Sequence, residues 1–179
     1  MRQRVPGWIG WGDSRIPQRK AVLVIRPMRR RDVPEVMEIE RGSFSAPWSA
    51  FTFRSLLRRR SAVLLVAEEG ERIAGYAVLW IASGGAELGN LAVRPAFRGQ
   101  GTGRALLDEV LREAAAAGAG TVFLEVRESN EAARQLYAGA GFHSVGVRSD
   151  YYVLPREDAL VMRIRLDSSD VSSDRRPLR

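Results

Sequence analysis

The chain has 179 residues, with 28 Lys and Arg against 21 Asp and Glu, a net charge of +7, one histidine and no cysteine. That length suits a single domain with a sizeable core. Without thiols there are no disulfides, no cysteine nucleophile and no cysteine metal site; one histidine excludes a histidine cluster, and no run of eighteen apolar residues offers a membrane helix, so no metal and no membrane contact are expected.

Residues 1 to 20 mix Gly, Pro, Arg and two tryptophans without period, which predicts a basic flexible arm ahead of a domain over 21 to 166. Nine of the basic residues lie within 1 to 31 (Arg2, Arg4, Arg15, Arg19, Lys20, Arg26, Arg29, Arg30, Arg31) against Asp13 alone, so the body of the chain is close to neutral. The charge therefore argues for a solvated arm and against direct nucleic-acid binding by the domain. The opening MRQRVPGWIGWGDSR lacks the apolar stretch and cleavage site of a secretory signal, and a soluble cytoplasmic protein is expected.

Val22 to Arg26 reads as a strand. Asp32 is then expected to cap a helix with Pro34 in its first turn, followed by Val36, Ile39 and Glu40 and ending near Gly42. Phe44 to Ser49 forms an aromatic loop, and Ser49 caps a second helix carrying Phe53, Leu56 and Leu57. Arg58-Arg59-Arg60 at its end suits the negative pole of the helix dipole. Ala62 to Glu68 and Ile73 to Ile81 are strands joined by the hairpin signal Glu69-Gly70-Glu71. Glu87 to Val93 is a further strand, stopped at Arg94-Pro95.

The next segment, RPAFRGQGTGR, places glycines at 99, 101 and 103 between Arg98 and Arg104. The dinucleotide fingerprint would need glycine where Arg104 stands, and the P-loop signature is absent. Leu106, Leu107, Val110, Leu111 and Ala114 recur at helical spacing, so the glycines sit at a strand-to-helix junction. The first N–H groups of a helix have no partner inside it and attract anions; bare backbone and two arginines make phosphate, or pyrophosphate, the expected guest. A glycine turn that only reverses the chain is the plainer alternative.

Thr121 to Val126 reads as a strand, Ser129-Asn130 as the cap of a helix running to Ala140, and Gly141 as its C-terminal glycine. Strands near Val145 to Arg148 and Ala159 to Leu166 close the domain, and 167 to 179 is expected to be a disordered tail. The order β-α-α-β-β-β-α-β-α-β-β predicts an α/β domain with a mixed sheet and helices on both faces.

Glu125 lies in a strand that looks hydrophobic on both faces, where a carboxylate is costly unless paired or used. A surface position, a salt bridge to Arg127 or Arg148, and an acid–base role all remain open. Asn130, Ala133, Arg134 and Tyr137 share one helix face, so Tyr137 is either a core tyrosine or a cleft residue beside Asn130. Glu87 is a second acid within reach of such a cleft. No GxSxG elbow accompanies His143, which reads as a surface or strand-edge residue.

The stretch Asn90-Leu91-Ala92-Val93-Arg94-Pro95 with Arg98-Gly99-Gln100-Gly101-Thr102-Gly103 resembles the acetyl-CoA motif of the GNAT N-acetyltransferases: Arg or Gln, two residues, Gly, one residue, then Gly or Ala. Ala46-Pro47-Trp48-Ser49, the run Leu124 to Asn130 with Leu136-Tyr137 and Gly141-Phe142, then Arg148-Ser149-Asp150-Tyr151-Tyr152 and Arg156 to Ala159 narrow the likeness to the ribosomal-protein-alanine N-acetyltransferase group. The resemblance spans roughly Leu23 to Leu166.

It implies a GNAT fold, a central and mostly antiparallel sheet splayed at the cofactor site. It further implies acetyl-CoA as co-substrate, with its pyrophosphate on the loop from Arg98 through Gly99, Gln100, Gly101, Thr102 and Gly103 to Arg104. The pantetheine would pair with the backbone of Leu91, Ala92 and Val93, and Asn130 would lie beside the cofactor. Glu125 matches the family's base and Tyr137 its acid, in direct attack by an amine without an acyl-enzyme. The implied acceptor is a protein N-terminus, in the family the alanine of a small-subunit ribosomal protein, in a groove walled by Phe44, Trp48, Tyr151 and Tyr152. A GNAT acting on a small amine, a non-catalytic acetyl-CoA sensor and an RNA-binding module are the rival readings; the last lacks aromatic RNP-type strands.

Overall fold

The computed structural model describes residues 22–166; the expected arm over 1–20 and tail over 167–179 lie outside the described residues. Strand β1 (Leu23–Pro27) leads through a 3-10 turn at Arg30–Asp32 into helix α1 (Val33–Ser43). Asp32 does not cap α1 with its side chain, contrary to the expectation from sequence. Its carboxylate instead accepts from the backbone N–H of Arg29 at 2.6 Å and from the Arg26 guanidinium at 2.7 and 3.0 Å. A cation reaching over from β1 is a stronger partner than a neutral amide, and it fixes the angle between strand and helix.

Ser49 does cap helix α2 (Ala50–Leu56): its hydroxyl accepts the Thr52 N–H at 3.1 Å. There follow β2 (Ala62–Glu69), β3 (Arg72–Ala82), β4 (Gly85–Val93), α3 (Thr102–Ala116), β5 (Thr121–Arg127), α4 (Glu131–Gly139), β6 (His143–Val153) and β7 (Arg156–Arg165). The seven strands form one sheet in the order β1-β2-β3-β4-β5-β7-β6, antiparallel throughout except for the pair β4–β5. His143 opens the edge strand β6 and is exposed.

Alternation along the strands divides the apolar residues between two cores, one on each face. Leu65, Ala67, Ala77 and Leu79 pack with Leu106, Leu107 and Val110 of α3 and Tyr137 of α4. Leu64, Val66, Tyr76 and Val78 pack on the opposite face with Val33, Val36 and Ile39 of α1 and Phe53 and Leu56 of α2.

In β4 the alternation breaks. Ala86 and Leu88 point toward α3, yet two residues further on Asn90 faces the α1 side and Leu91 and Val93 take over toward α3. The cause is a bulge: Val78 of β3 pairs with Asn90 and Leu79 with Leu88, which leaves Gly89 unpaired. Trp80 fills the space over Gly89, where an added Cβ would meet its ring at 2.2 Å. A bulge bends its strand and adds twist. The parallel pairing with β5 accordingly stops at Leu88 opposite Leu124, and beyond that point the two strands part.

Candidate active site

Between the parted strands lies a cleft of about 690 Å3. Its walls come from the loop after α1, the second half of β4, the end of β5, α4 and the β6–β7 turn. The structure brings together there Glu125, Tyr137, Asn130 and Leu91, with Phe44, Trp48, Tyr151 and Tyr152 around the rim. Glu87 lines it too. Ala92, Val93 and the glycine loop are not part of this lining; β4 runs from the cleft straight into the loop.

In β5, Val122, Leu124 and Val126 are buried beneath α3 and α4, whereas Thr121, Phe123, Glu125 and Arg127 share the other face. Phe123 is 39% exposed, so this strand is not hydrophobic-in on both faces as its sequence suggested. Glu125 thus stands on the open face of a half-covered strand. Of its two expected partners Arg148 is the real one, Nη2 to Oε1 at 3.3 Å. Arg127 is held elsewhere, by Glu157 at 3.0 Å, the carbonyls of Leu154 and Pro155 and the Ser45 hydroxyl, with its guanidinium 4.0 Å from the centroid of the Tyr152 ring. Partial burial, and next the negative charge of Glu87, push the Glu125 carboxyl above the usual carboxylate range; Arg148 pulls the other way.

Tyr137 projects from α4, whose start is fixed by Asn130: its side-chain oxygen accepts the Ala133 N–H at 3.2 Å. The ring packs on Phe142 with centroids 5.9 Å apart, and only 7% of the residue is exposed. It is both the core tyrosine and the cleft residue of the sequence reading. Burial raises its phenol well above the ordinary value, so the hydroxyl keeps its proton across the neutral range. Burial likewise pushes Tyr152 up to about 12 and raises Tyr151.

Beneath the aromatic wall of the cleft sits a carboxyl group that sequence reasoning passed over. Glu40 is fully buried. It accepts the Trp48 N–H at 2.7 Å, the Tyr76 hydroxyl, and the Asn90 amide at 3.3 and 3.4 Å. One side chain thereby ties α1 to the aromatic loop, to β3 and to β4 just past the bulge. Trp48 then packs against Phe53 and Trp80, at 5.7 and 5.5 Å between centroids, so the wall is continuous with the ring that covers Gly89. The signal was present in the sequence: Glu40 falls on the same helix face as Val36 and Val33, where a carboxyl group needs buried donors.

At the glycine loop, Gly99 and Gly101 have φ of +69° and +88°, the left-handed region, and a Cβ on either would meet nothing within 4 Å. Conformation, not crowding within the protein, therefore demands glycine, and the side a Cβ would occupy is open to a ligand. Among the described residues no acceptor takes the N–H groups from Gly99 to Arg104. Arg98 donates to the Val93 carbonyl at 2.9 Å, while Arg104 binds Asp108 at 2.7 Å and the Gly139 carbonyl at 3.0 Å. Their charges are tethered beside the open backbone rather than folded over it. This is a fitting cradle for a pyrophosphate.

The split mixed sheet sets a titratable cleft beside a glycine turn with open backbone at the adjoining helix terminus. Comparison with known proteins gives the family. The model of the acetyltransferase (GNAT) family matches residues 33–142. A Bacillus subtilis protein provisionally named a ribosomal protein bS18-alanine N-acetyltransferase is 36% identical over 149 residues, 83% of this chain and 99% of its own. The Escherichia coli ribosomal protein bS18-alanine N-acetyltransferase is 36% identical over 142 residues, 78% of this chain and 95% of its own. A crystal structure of the Escherichia coli enzyme of that activity superposes with a TM-score of 0.75 at 32% identity, covering 83% of this chain and 98% of the other. The chain belongs to the GNAT acetyltransferase family and is an acetyltransferase that depends on acetyl-CoA.

Proposed function

We propose that the protein is a cytoplasmic N-terminal acetyltransferase whose acceptor is the α-amine of a protein, the N-terminal alanine of a small-subunit ribosomal protein. The observation that carries this reading is the cleft where β4 leaves β5. A half-buried carboxylate and a tyrosine hydroxyl that makes no hydrogen bond among the described residues line the same space. The names of the relatives, alanine N-acetyltransferases of ribosomal protein bS18, support the choice of acceptor.

Acetyl-CoA supplies an activated thioester. The N–H groups of the Gly99 to Gly103 turn, with Arg98 and Arg104 beside them, hold its pyrophosphate, and the unpaired edge of β4 from Leu91 to Val93 receives the pantetheine chain. A backbone N–H near Val93 stabilises negative charge on the thioester oxygen. Glu125 takes the proton that the amine must lose as its nitrogen bonds to the acetyl carbon, and Tyr137 gives its proton to the departing sulfur as the carbon–sulfur bond breaks. A carboxyl raised toward neutrality is a better base, whereas a phenol raised above its ordinary value keeps its proton more tightly, so Tyr137 gives it up only as negative charge builds on the departing sulfur. Phe44, Trp48, Tyr151 and Tyr152 wall the acceptor strand, and Asn130 sets the helix that carries Tyr137.

The assignment is tested with a peptide that carries both a free N-terminal alanine and an internal lysine, incubated with acetyl-CoA and mapped by mass spectrometry. The acetyl group is expected on the α-amine; acetylation of the lysine alone would sink the reading. For the cofactor loop, Gly101→Ala is expected to raise the KM for acetyl-CoA about tenfold, since a methyl now stands where the ligand approaches. It should cost only about 1 kcal/mol of stability for the left-handed conformation. An unchanged KM would remove the loop from the binding site.

A further inference from the structure

Arg148 is the residue in direct contact with Glu125, and the proposed mechanism gives it no task. The guanidinium comes from the edge strand β6. In the sheet, Arg148 pairs with Ala159 of β7, while Glu125 of β5 pairs with Val161 of the same strand. The side chain therefore crosses the face of β7 to reach a carboxylate two strands away, ending at 3.3 Å. Its other neighbour is Tyr151, with the guanidinium carbon 5.6 Å from the ring centroid. Arg148 is 58% exposed and Glu125 only 13%, so the arginine leans in from solvent onto a carboxylate that the fold has partly dried.

Among the described residues, the other charged or titratable groups around Glu125 are acids, neutral phenols or cations engaged elsewhere; Arg163 of β7, paired with Phe123 on the same face, reaches toward His143 at 3.5 Å. Glu87 faces it from β4, Tyr137 from α4, and Tyr151 and Tyr152 from β6. Glu40 sits in the opposite wall, occupied with Trp48, Tyr76 and Asn90. Arg127, two residues along β5, is held by Glu157 of β7. Among the described residues, Arg148 is thus the cation that opposes Glu87 and burial at this carboxyl group.

Resting on the assignment of Glu125 as base, we propose that Arg148 is a positioning residue for it: the guanidinium holds the carboxylate ionised and turned into the cleft, and so sets the low-pH limb of the transfer reaction. A base that stays protonated cannot accept the amine's proton. Burial and Glu87 favour that idle form, and Arg148 counters them. Because the arginine is more than half exposed, its pull is partly screened by water and weakens with salt.

Two readouts separate this role from a structural one. The first is the titration of the Glu125 carboxyl group, followed by carbon-13 NMR in wild type, Arg148→Met, Arg148→Gln and Arg148→Lys. The second is the pH profile of kcat/KM with one alanine-terminated peptide. Below the pKa of the acceptor amine that profile falls with slope one, and below that of Glu125 with slope two. In Arg148→Met and Arg148→Gln the titration midpoint and the second break are both expected to rise by about one pH unit, at the lower end for an opposite charge at this range. Arg148→Lys should restore most of the shift, and low added salt should enlarge it. A Glu125 midpoint that stays put in both neutral variants overturns the inference. A midpoint that moves while the rate profile does not overturns the assignment of Glu125 as base, and the role of Arg148 in the reaction falls with it.

Discussion

Glu125→Gln lowers kcat by about 10²- to 10³-fold and leaves the KM for acetyl-CoA close to that of wild type. Glutamine keeps the shape of the side chain and a hydrogen-bonding oxygen, so the cleft survives and the cofactor loop, on another element, is untouched. What is lost is the acceptor for the amine's proton, an interaction made as the reaction proceeds and not in the ground state. The pH dependence follows with a definite sign. The Glu125 carboxyl group is raised above its ordinary value, first by burial and then by Glu87, and it works only without its proton. The wild-type rate therefore climbs with pH through a point above the usual carboxylate range, and in Glu125→Gln that step is missing. Steady-state rates from pH 5 to 9 check both; a Gln variant within a factor of three of wild type would remove Glu125 from the chemistry.

Glu40→Ala destabilises the fold by about 3 kcal/mol. The substitution deletes the acceptor for three donors at once, the Trp48 N–H, the Tyr76 hydroxyl and the Asn90 amide, at a position with no solvent exposure. A buried donor left without a partner costs about 1–3 kcal/mol, and the losses here share one cavity and are not simply additive. Burial already raises the Tyr76 phenol far above its ordinary value, a mark of how little water could replace the missing oxygen. Glu40→Gln keeps an accepting oxygen and should lose about 1 kcal/mol. Urea unfolding measures both, as a lower midpoint at unchanged slope. A loss under about 1 kcal/mol in Glu40→Ala would mean that the network does not hold the fold.

The sequence carried the order of all the helices and strands, because each core-facing helix kept its apolar stripe and each strand was bounded by glycine, proline or a polar turn. It carried less of their limits. Strand β6 extends over His143–Val153, well beyond the expected Val145 to Arg148, since Arg148, Ser149 and Asp150 break the apolar alternation and the strand shifts register between Arg148 and Tyr152. Asp32 looked like a helix cap because the local pattern hid Arg26, six residues earlier, which binds its carboxylate.

At the site, local motifs were legible and long-range geometry was not. Glycines at 99, 101 and 103 marked bare backbone at a strand-to-helix junction, and the structure adds that Gly99 and Gly101 adopt the left-handed conformation. The one-residue bulge at Gly89, which turns β4 away from β5 and opens the cleft, has only a lone glycine inside an apolar strand as its trace. Trp80 was hidden for the same reason: in a run of apolar residues nothing distinguishes the ring that covers Gly89 from its neighbours in the core. Glu40 and Glu125 were both carboxyl groups in apolar surroundings. A carboxylate stands out in an apolar strand but looks solvated on an amphipathic helix, yet Glu40 in the helix is the more deeply buried of the two.

The central claim is most directly tested by CoA release in the presence of acetyl-CoA and a hexapeptide beginning with alanine, its α-amine free or blocked, with wild type and Glu125→Gln side by side. Turnover with the free amine only, slowed by about 10²-fold or more in the variant, is the expected result. Equal turnover with the blocked peptide, or no turnover from a protein that binds acetyl-CoA, would contradict the account.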